Sequence, residues 1–244
     1  MATQTYKQFG IEVLREPLAR FLRSKLKTIT HVETRDRVAA LTFDDGPNPR
    51  CTPRLVELLE RHGARGTFFM IGQAAQKYRD VVKRVAQGGH AIGNHTWDHP
   101  SLPLLSPSEQ RSQLRSCQRA IAPYSQGLFR PPFGHQNVSS RLAAAFLRLR
   151  VVTWSVQADD WLDHDAEWMA RRAIAEIRPG SIILFHDSLY TFLDEGHTDR
   201  EPMLGAIELI LRHFGNRFRF VSRPELLSRG QPQLQSWYRW GSEE

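Results

Sequence analysis

The sequence predicts an α/β fold in which a parallel sheet, wound with helices, closes or nearly closes into a barrel. Three observations point there. Apolar, β-rich runs alternate with helical patterns through seven rounds, the order a parallel sheet with helical crossovers requires. Several runs are apolar at nearly every position, as expected of strands buried on both faces. Polar residues capable of chemistry fall at the C-terminal ends of five runs, the end where such barrels gather functional groups.

In chain order the expected strands are VAALTFDD (38–45), GTFFMIG (66–72), HAIGNHT (90–96), LFRPPFG (128–134), VVTWSVQA (151–158), SIILFHD (181–187) and RFRFVS (217–222). Between them lie helix signals. Thr52-Pro53 reads as an N-cap before a proline-started helix, with Leu55, Val56, Leu58 and Leu59 as its apolar stripe and Gly63 past its end. Ser106-Pro107-Ser108-Glu109 and Ser222-Arg223-Pro224-Glu225 both read as capping boxes. Arg178-Pro179-Gly180 ends a helix just before the sixth strand.

The chain has 244 residues, 41% hydrophobic and 24% charged, which suits one sizeable globular domain. No stretch approaches the ~18 consecutive apolar residues of a transmembrane helix. The start, MATQTYKQFGIEVLREPLARFLRS, lacks the unbroken apolar core of a secretory signal, so a cytoplasmic location is expected. Cys51 and Cys117 are too few for a disulfide scaffold or a thiolate zinc site, and free, buried thiols are expected. The net charge of +7 suggests attraction to anionic surfaces, but the basic residues are scattered rather than clustered as nucleic-acid binding requires.

The chemistry lies at the strand ends. Asp44 and Asp45 are adjacent like charges with no structural reason to sit together. In His95-Thr96-Trp97-Asp98-His99 two imidazoles stand four apart, one turn of a helix, so that both can face one ion. An HxxxH alone is weak evidence. With a carboxylate from the Asp-Asp pair it makes a two-histidine, one-carboxylate site for a catalytic divalent metal, with zinc the first candidate. A cation also relieves the repulsion in the pair: one Asp binds it while the other accepts a proton from the water it activates. His186, after the apolar run SIILF, would in isolation be a core histidine; on this rim general acid is the better reading. Arg130, otherwise a surface ion pair, is placed to orient the base carboxylate.

In order, TFDDGP, HTWDH, RPPFG, DDW and LFHD resemble the five motifs of the polysaccharide deacetylases, the NodB-homology domains of carbohydrate esterase family 4. The resemblance spans residues 38 to 222. It implies a distorted (β/α)7 barrel, in a single catalytic domain, that removes N- or O-acetyl groups from sugars with a divalent metal. Zinc leads, with cobalt, nickel and manganese as alternatives. By resemblance Asp44 is the general base positioned by Arg130, and Asp45, His95 and His99 hold the metal. The backbone N–H of Phe133 joins the metal as oxyanion hole. Asp160 tunes His186, the general acid, and Trp161 and Leu184 form the apolar pocket for the acetyl methyl. Ser155 and Gln157 depart from the fourth motif, where acidic residues are common.

The expected organisation is a basic amphipathic extension (1–37), the deacetylase domain (38–230) and a C-terminal tail (231–244). The expected partner is an acetylated glycan, with no nucleic acid and a monomeric state. Within residues 9–29, Ile11, Leu14, Leu18, Phe21, Leu22 and Leu26 follow a helical period, interrupted or kinked near Pro17 and interspersed with Arg and Lys. That segment either packs on the barrel or contacts anionic lipid.

Overall fold

The structure is a computed structural model that describes residues 26–190 and 199–237. β1 (Thr28–Glu33) leads into β2 (Val38–Asp44), which is buried at every position and lies at the centre of the fold. β2 pairs in parallel with β3 (Thr67–Met70), whose other neighbour is β4 (Ala91–Asn94); β5 (Ser125–Phe129) and β6 (Arg150–Val151) follow. On its other side β2 takes β8 (Ile182–His186) and then β7 (Val156–Gln157), while β9 (Arg219–Phe220) pairs with its first residues. All these pairings are parallel. The edge strands β6 and β7 follow each other in the chain, and residues 152–155 cross the gap between them. Val152 N–H donates to Phe129 and Ser155 N–H to Ile182. The sheet thus curls into an incompletely closed barrel, the distorted (β/α)7 form that the resemblance implies.

Period-two alternation decides what faces where. Ala39, Leu41 and Phe43 join Leu55, Val56, Leu59 and Ile207 in the outer core under the helices. Val38 and Ala40 join Phe69, Leu128, Val152 and Ile182 in a separate inner cluster. Thr42 and Asp44 continue that inner row, so the alternation that builds the core also delivers Asp44 to the interior end of the strand.

Among the described residues the α-helices are α1 (Cys51–Arg61), α2 (Gly72–Lys77), α3 (Arg79–Gln87), α4 (Pro107–Ala120), α5 (Val138–Phe146), α6 (Ala166–Glu176), α7 (Glu201–Phe214) and α8 (Arg223–Ser228). Ser106 forms the expected capping box with Glu109 at the start of α4. Two other expected caps differ. Thr52 lies inside α1, not at its cap: Asn48 Oδ1 accepts the N–H groups of Arg50 and Cys51, and the Thr52 hydroxyl turns inward to Asp187. Ser222 occupies the cap of α8 without a side-chain bond, because Glu225 is drawn to Arg219 and Arg229.

At the termini, residues 26–29 depart from the helical expectation. Thr28–Glu33 is a strand, and Arg141 Nε donates to the Leu26 carbonyl. β1 pairs antiparallel with β10 (Gln231–Gln235) and bridges to Val152 through Ile29. Residues 9–25 lie outside the described residues. Cys51 and Cys117 are free and buried, and burial pushes the Cys117 thiol up to about 12. Among the described residues no helix is long and apolar enough to cross a membrane.

Candidate active site

The C-terminal ends of β2, β4, β5, β7 and β8 bring together Asp44, Asp45, His95, His99, Arg130, Asp160 and His186. Of six non-glycine residues with positive φ among the described residues, five belong to these strand ends: Asp45 (72°), Thr96 (69°), His99 (61°), Phe133 (56°) and Asp159 (51°). Such conformations persist only where the surroundings impose them, and they gather at functional sites.

Asp44 is buried and gripped by Arg130, whose Nη1 lies 2.8 Å from its Oδ1. Arg130 is itself fully enclosed. The same Nη1 reaches Thr42 Oγ1 at 2.8 Å, Nη2 donates to the Thr153 carbonyl at 2.9 Å, and the Phe69 ring lies 4.3 Å from Cζ. A buried ion pair with its remaining donors satisfied fixes the carboxylate in one orientation.

Asp45 faces the two histidines. Its Oδ1 lies 3.3 Å from His95 Nε2 and 3.1 Å from His99 Nε2, at ion-pair distance but without hydrogen-bond geometry; its Oδ2 accepts the Tyr190 N–H at 3.1 Å. His95 Nδ1 lies 2.7 Å from the Arg130 carbonyl, which can only accept, so Nδ1 carries the proton and Nε2 is left to bind. Burial opposes charge on Asp45, but the His99 and His95 imidazoles outweigh it and hold its carboxyl well below the usual range. The three ligand atoms lie within 4.8 Å of one another. A buried carboxylate oxygen without a hydrogen-bond partner and two convergent imidazole nitrogens are a donor set that suits a divalent cation.

The HxxxH spacing achieves this without the expected helix. After β4 the chain turns through left-handed Thr96 and His99, held by Thr96 N–H to Asn94 Oδ1 (2.9 Å) and His99 N–H to Thr96 Oγ1 (3.2 Å). A tight loop, not one turn of α-helix, converges the imidazoles.

On the opposite side His186 Nδ1 is 2.9 Å from Asp160 Oδ1, and its backbone N–H donates to Asp160 Oδ2 at 2.8 Å. Burial works against charge on His186, but Asp160 overrides it, with smaller help from Asp45 and Asp44, pushing its pKa up to about 9. Asp160 is also held by Arg200 through Oδ2 and, at 2.9 Å, through its carbonyl. The Trp161 ring stands edge-on to His186 at 5.6 Å, Phe133 packs edge-on against His99 at 4.6 Å, and Leu184 is buried in β8 two residues before His186. A cavity of about 190 Å³ adjoins the site, with Asp160, Trp161, His164, Met169 and Arg200 in its wall.

Arg200, Thr42 and Tyr190 support this site and escaped the sequence reading, which gave Asp187 only as the end of the sixth strand and took Thr52 for a helix cap. Thr42 carried a signal, standing two residues before Asp44 on the same strand face. Asp187 is buried behind the Asp-Asp turn, where Thr52 donates to it and burial pushes its carboxyl up to about 7. Gly46 allows that approach: a Cβ there would lie 2.3 Å from Asp187 Oδ2.

Residues 31–152 match the family model described as polysaccharide deacetylase. The chain belongs to the polysaccharide deacetylase family. It is a hydrolase of that family. It is 36% identical over 191 residues to a peptidoglycan-N-acetylglucosamine deacetylase of Bacillus cereus, covering 77% of this chain and 67% of that protein. It is 39% identical over 151 residues to a chitooligosaccharide deacetylase of Azorhizobium caulinodans, covering 60% of this chain and 72% of that protein. In structure it resembles the Bc1960 peptidoglycan N-acetylglucosamine deacetylase, with a TM-score of 0.74 and 29% identity over 84% of this chain and 94% of that one. This polysaccharide deacetylase thus shares the architecture of its relatives along nearly the whole described barrel.

Proposed function

We propose that this polysaccharide deacetylase hydrolyses the N-acetyl groups of a glycan built on N-acetylglucosamine, of the peptidoglycan or chitin-oligosaccharide type, with a divalent metal at Asp45, His95 and His99. The carrying observation is the convergence on one rim of that donor set, the Asp44–Arg130 pair and the Asp160–His186 pair. The names of the relatives support the substrate class.

A divalent metal held by Asp45, His95 and His99, zinc first and cobalt, nickel or manganese as alternatives, would supply there a Lewis acid and a more acidic water. Asp44, fixed by Arg130, would accept the proton of the attacking water. The Phe133 N–H donates to the carbonyl oxygen as negative charge develops on it. Trp161 and Leu184 wall the space for the methyl group. His186, kept charged by Asp160, hands a proton from Nε2 to the departing amine. A carbohydrate-binding protein without catalysis would have no use for either Asp44 or His186 in these settings.

Acetate release across a panel of acetylated glycans, with each metal added in turn, tests the reading. Metal content separates the roles within the pair. Asp45→Ala and His95→Ala are expected to lose bound metal, whereas Asp44→Asn keeps it and loses turnover. A folded but metal-free Asp44→Asn protein would overturn the assignment.

A further inference from the structure

Outside the active site one side chain stands apart. Arg223, the first residue of α8, is completely enclosed, and none of its three guanidinium nitrogens has a hydrogen-bond partner among the described residues. Its backbone N–H donates to Thr67 Oγ1 at the start of β3, which ties it to the end of the barrel opposite the Asp-Asp pair. Val221 and Leu226, which bracket it in sequence, belong to the inner cluster with Val38, Ala40, Phe69 and Leu128. A guanidinium offers five N–H donors and cannot be neutralised by losing a proton at any ordinary pH. The charges that reach it are Arg130 and Arg150, both of its own sign, and neither offsets it. Arg130 commits four of its N–H groups to Asp44, Thr42, Val152 and Thr153, and a guanidinium has no acceptor to offer Arg223.

A buried cation requires a counter-charge as well as hydrogen bonds. Water would satisfy the N–H groups and leave the charge. So complete an enclosure favours a small monatomic anion over an organic carboxylate or a phosphate. We propose that the barrel floor binds a small inorganic anion of chloride size on the Arg223 guanidinium, as a structural ion separate from the catalytic metal. The anion offsets Arg223 and lessens the repulsion it exerts on Arg130, the residue that holds Asp44.

The test is thermal unfolding of the full-length protein at constant ionic strength while chloride replaces gluconate, an anion too large to enter. Wild type is expected to gain roughly 3–5 °C in Tm at a tenfold excess of chloride over its Kd, with the gain saturating. Arg223→Leu, which removes the buried charge, is expected to fold and to show no such saturable gain. Equal chloride responses in wild type and variant, or none in wild type, would overturn the proposal. Should the variant not fold, crystals of wild type grown in bromide decide the matter: an anomalous peak beside the guanidinium supports the site, and its absence there refutes it.

Discussion

His186 shows how far one neighbour sets a residue's chemistry. Asp160 raises its pKa to about 9 against the effect of burial, so the imidazole is charged at neutral pH and ready to donate. His186→Ala is expected to keep fold and metal and to slow deacetylation by about 10²–10⁴, with a smaller loss on an ester whose leaving group needs no proton. Unchanged turnover of the amide would remove His186 from the mechanism. The shift also has a consequence for stability. A folded pKa above the unfolded value means the stabilisation is complete below the unfolded pKa, about 6.5, and is lost as pH rises through about 9. Urea unfolding at pH 6.5 and at pH 9 should therefore show a loss at the higher pH, and Asp160→Asn should flatten it. The largest favourable contribution comes from Asp160, with Asp45 and Asp44 contributing less.

Among the elements, the turn before β8 is the most tightly specified. Gly180 has φ of 83°, and a Cβ there would lie 1.6 Å from the Val32 carbonyl oxygen of β1. Its own N–H donates to Val38 and its carbonyl accepts from Val32, so it joins β1, β2 and β8 where the sheet begins. Gly180→Ala is expected to cost about 3 kcal/mol of stability, from left-handed strain and from displacement of β1, read as a lowered urea midpoint. A midpoint within error of wild type would show that the strand can yield. The same β1 carries Ile29, whose carbonyl accepts the Thr153 N–H at 2.9 Å, while the Thr153 carbonyl holds Arg130. A strand outside the main sheet thereby reaches the anchor of Asp44 through two hydrogen bonds.

That chain of contacts bears on the whole molecule. Removing residues 1–29 takes Thr28 and Ile29 from β1 and with them the bridge to Val152. The truncated protein is expected to melt at lower temperature and to lose kcat/KM. An unchanged melt, together with lost sedimentation on anionic vesicles, would instead make the basic segment 9–29 a surface anchor. At this scale the sequence by itself determined a great deal. Seven apolar runs with helices between them dictate a parallel sheet, because chains cross from one parallel strand to the next only by such connections. The motif residues are legible because the chemistry needs particular atoms: a carboxylate pair, two imidazoles, an arginine and a histidine after buried strands. Strand ends carry them because alternation fixes which face each residue takes.

Only the tertiary structure decided the rest. Nothing near Arg200 in TDREPM marks it as the clamp on Asp160, since 40 residues separate the two and only packing brings them together. The pairing of β1 with β10 joins segments about 200 residues apart, with register partners such as Thr28 and Gln235 that no local pattern announces. The HTWDH spacing suggested a helical turn, yet left-handed Thr96 and His99 make it a loop, because the β4 end and the Asp45 carboxylate constrain the imidazoles more strongly than local propensity does. Local patterns record which atoms a residue can offer and which face it takes. Long-range contacts decide what stands opposite, and with that the charge each group carries.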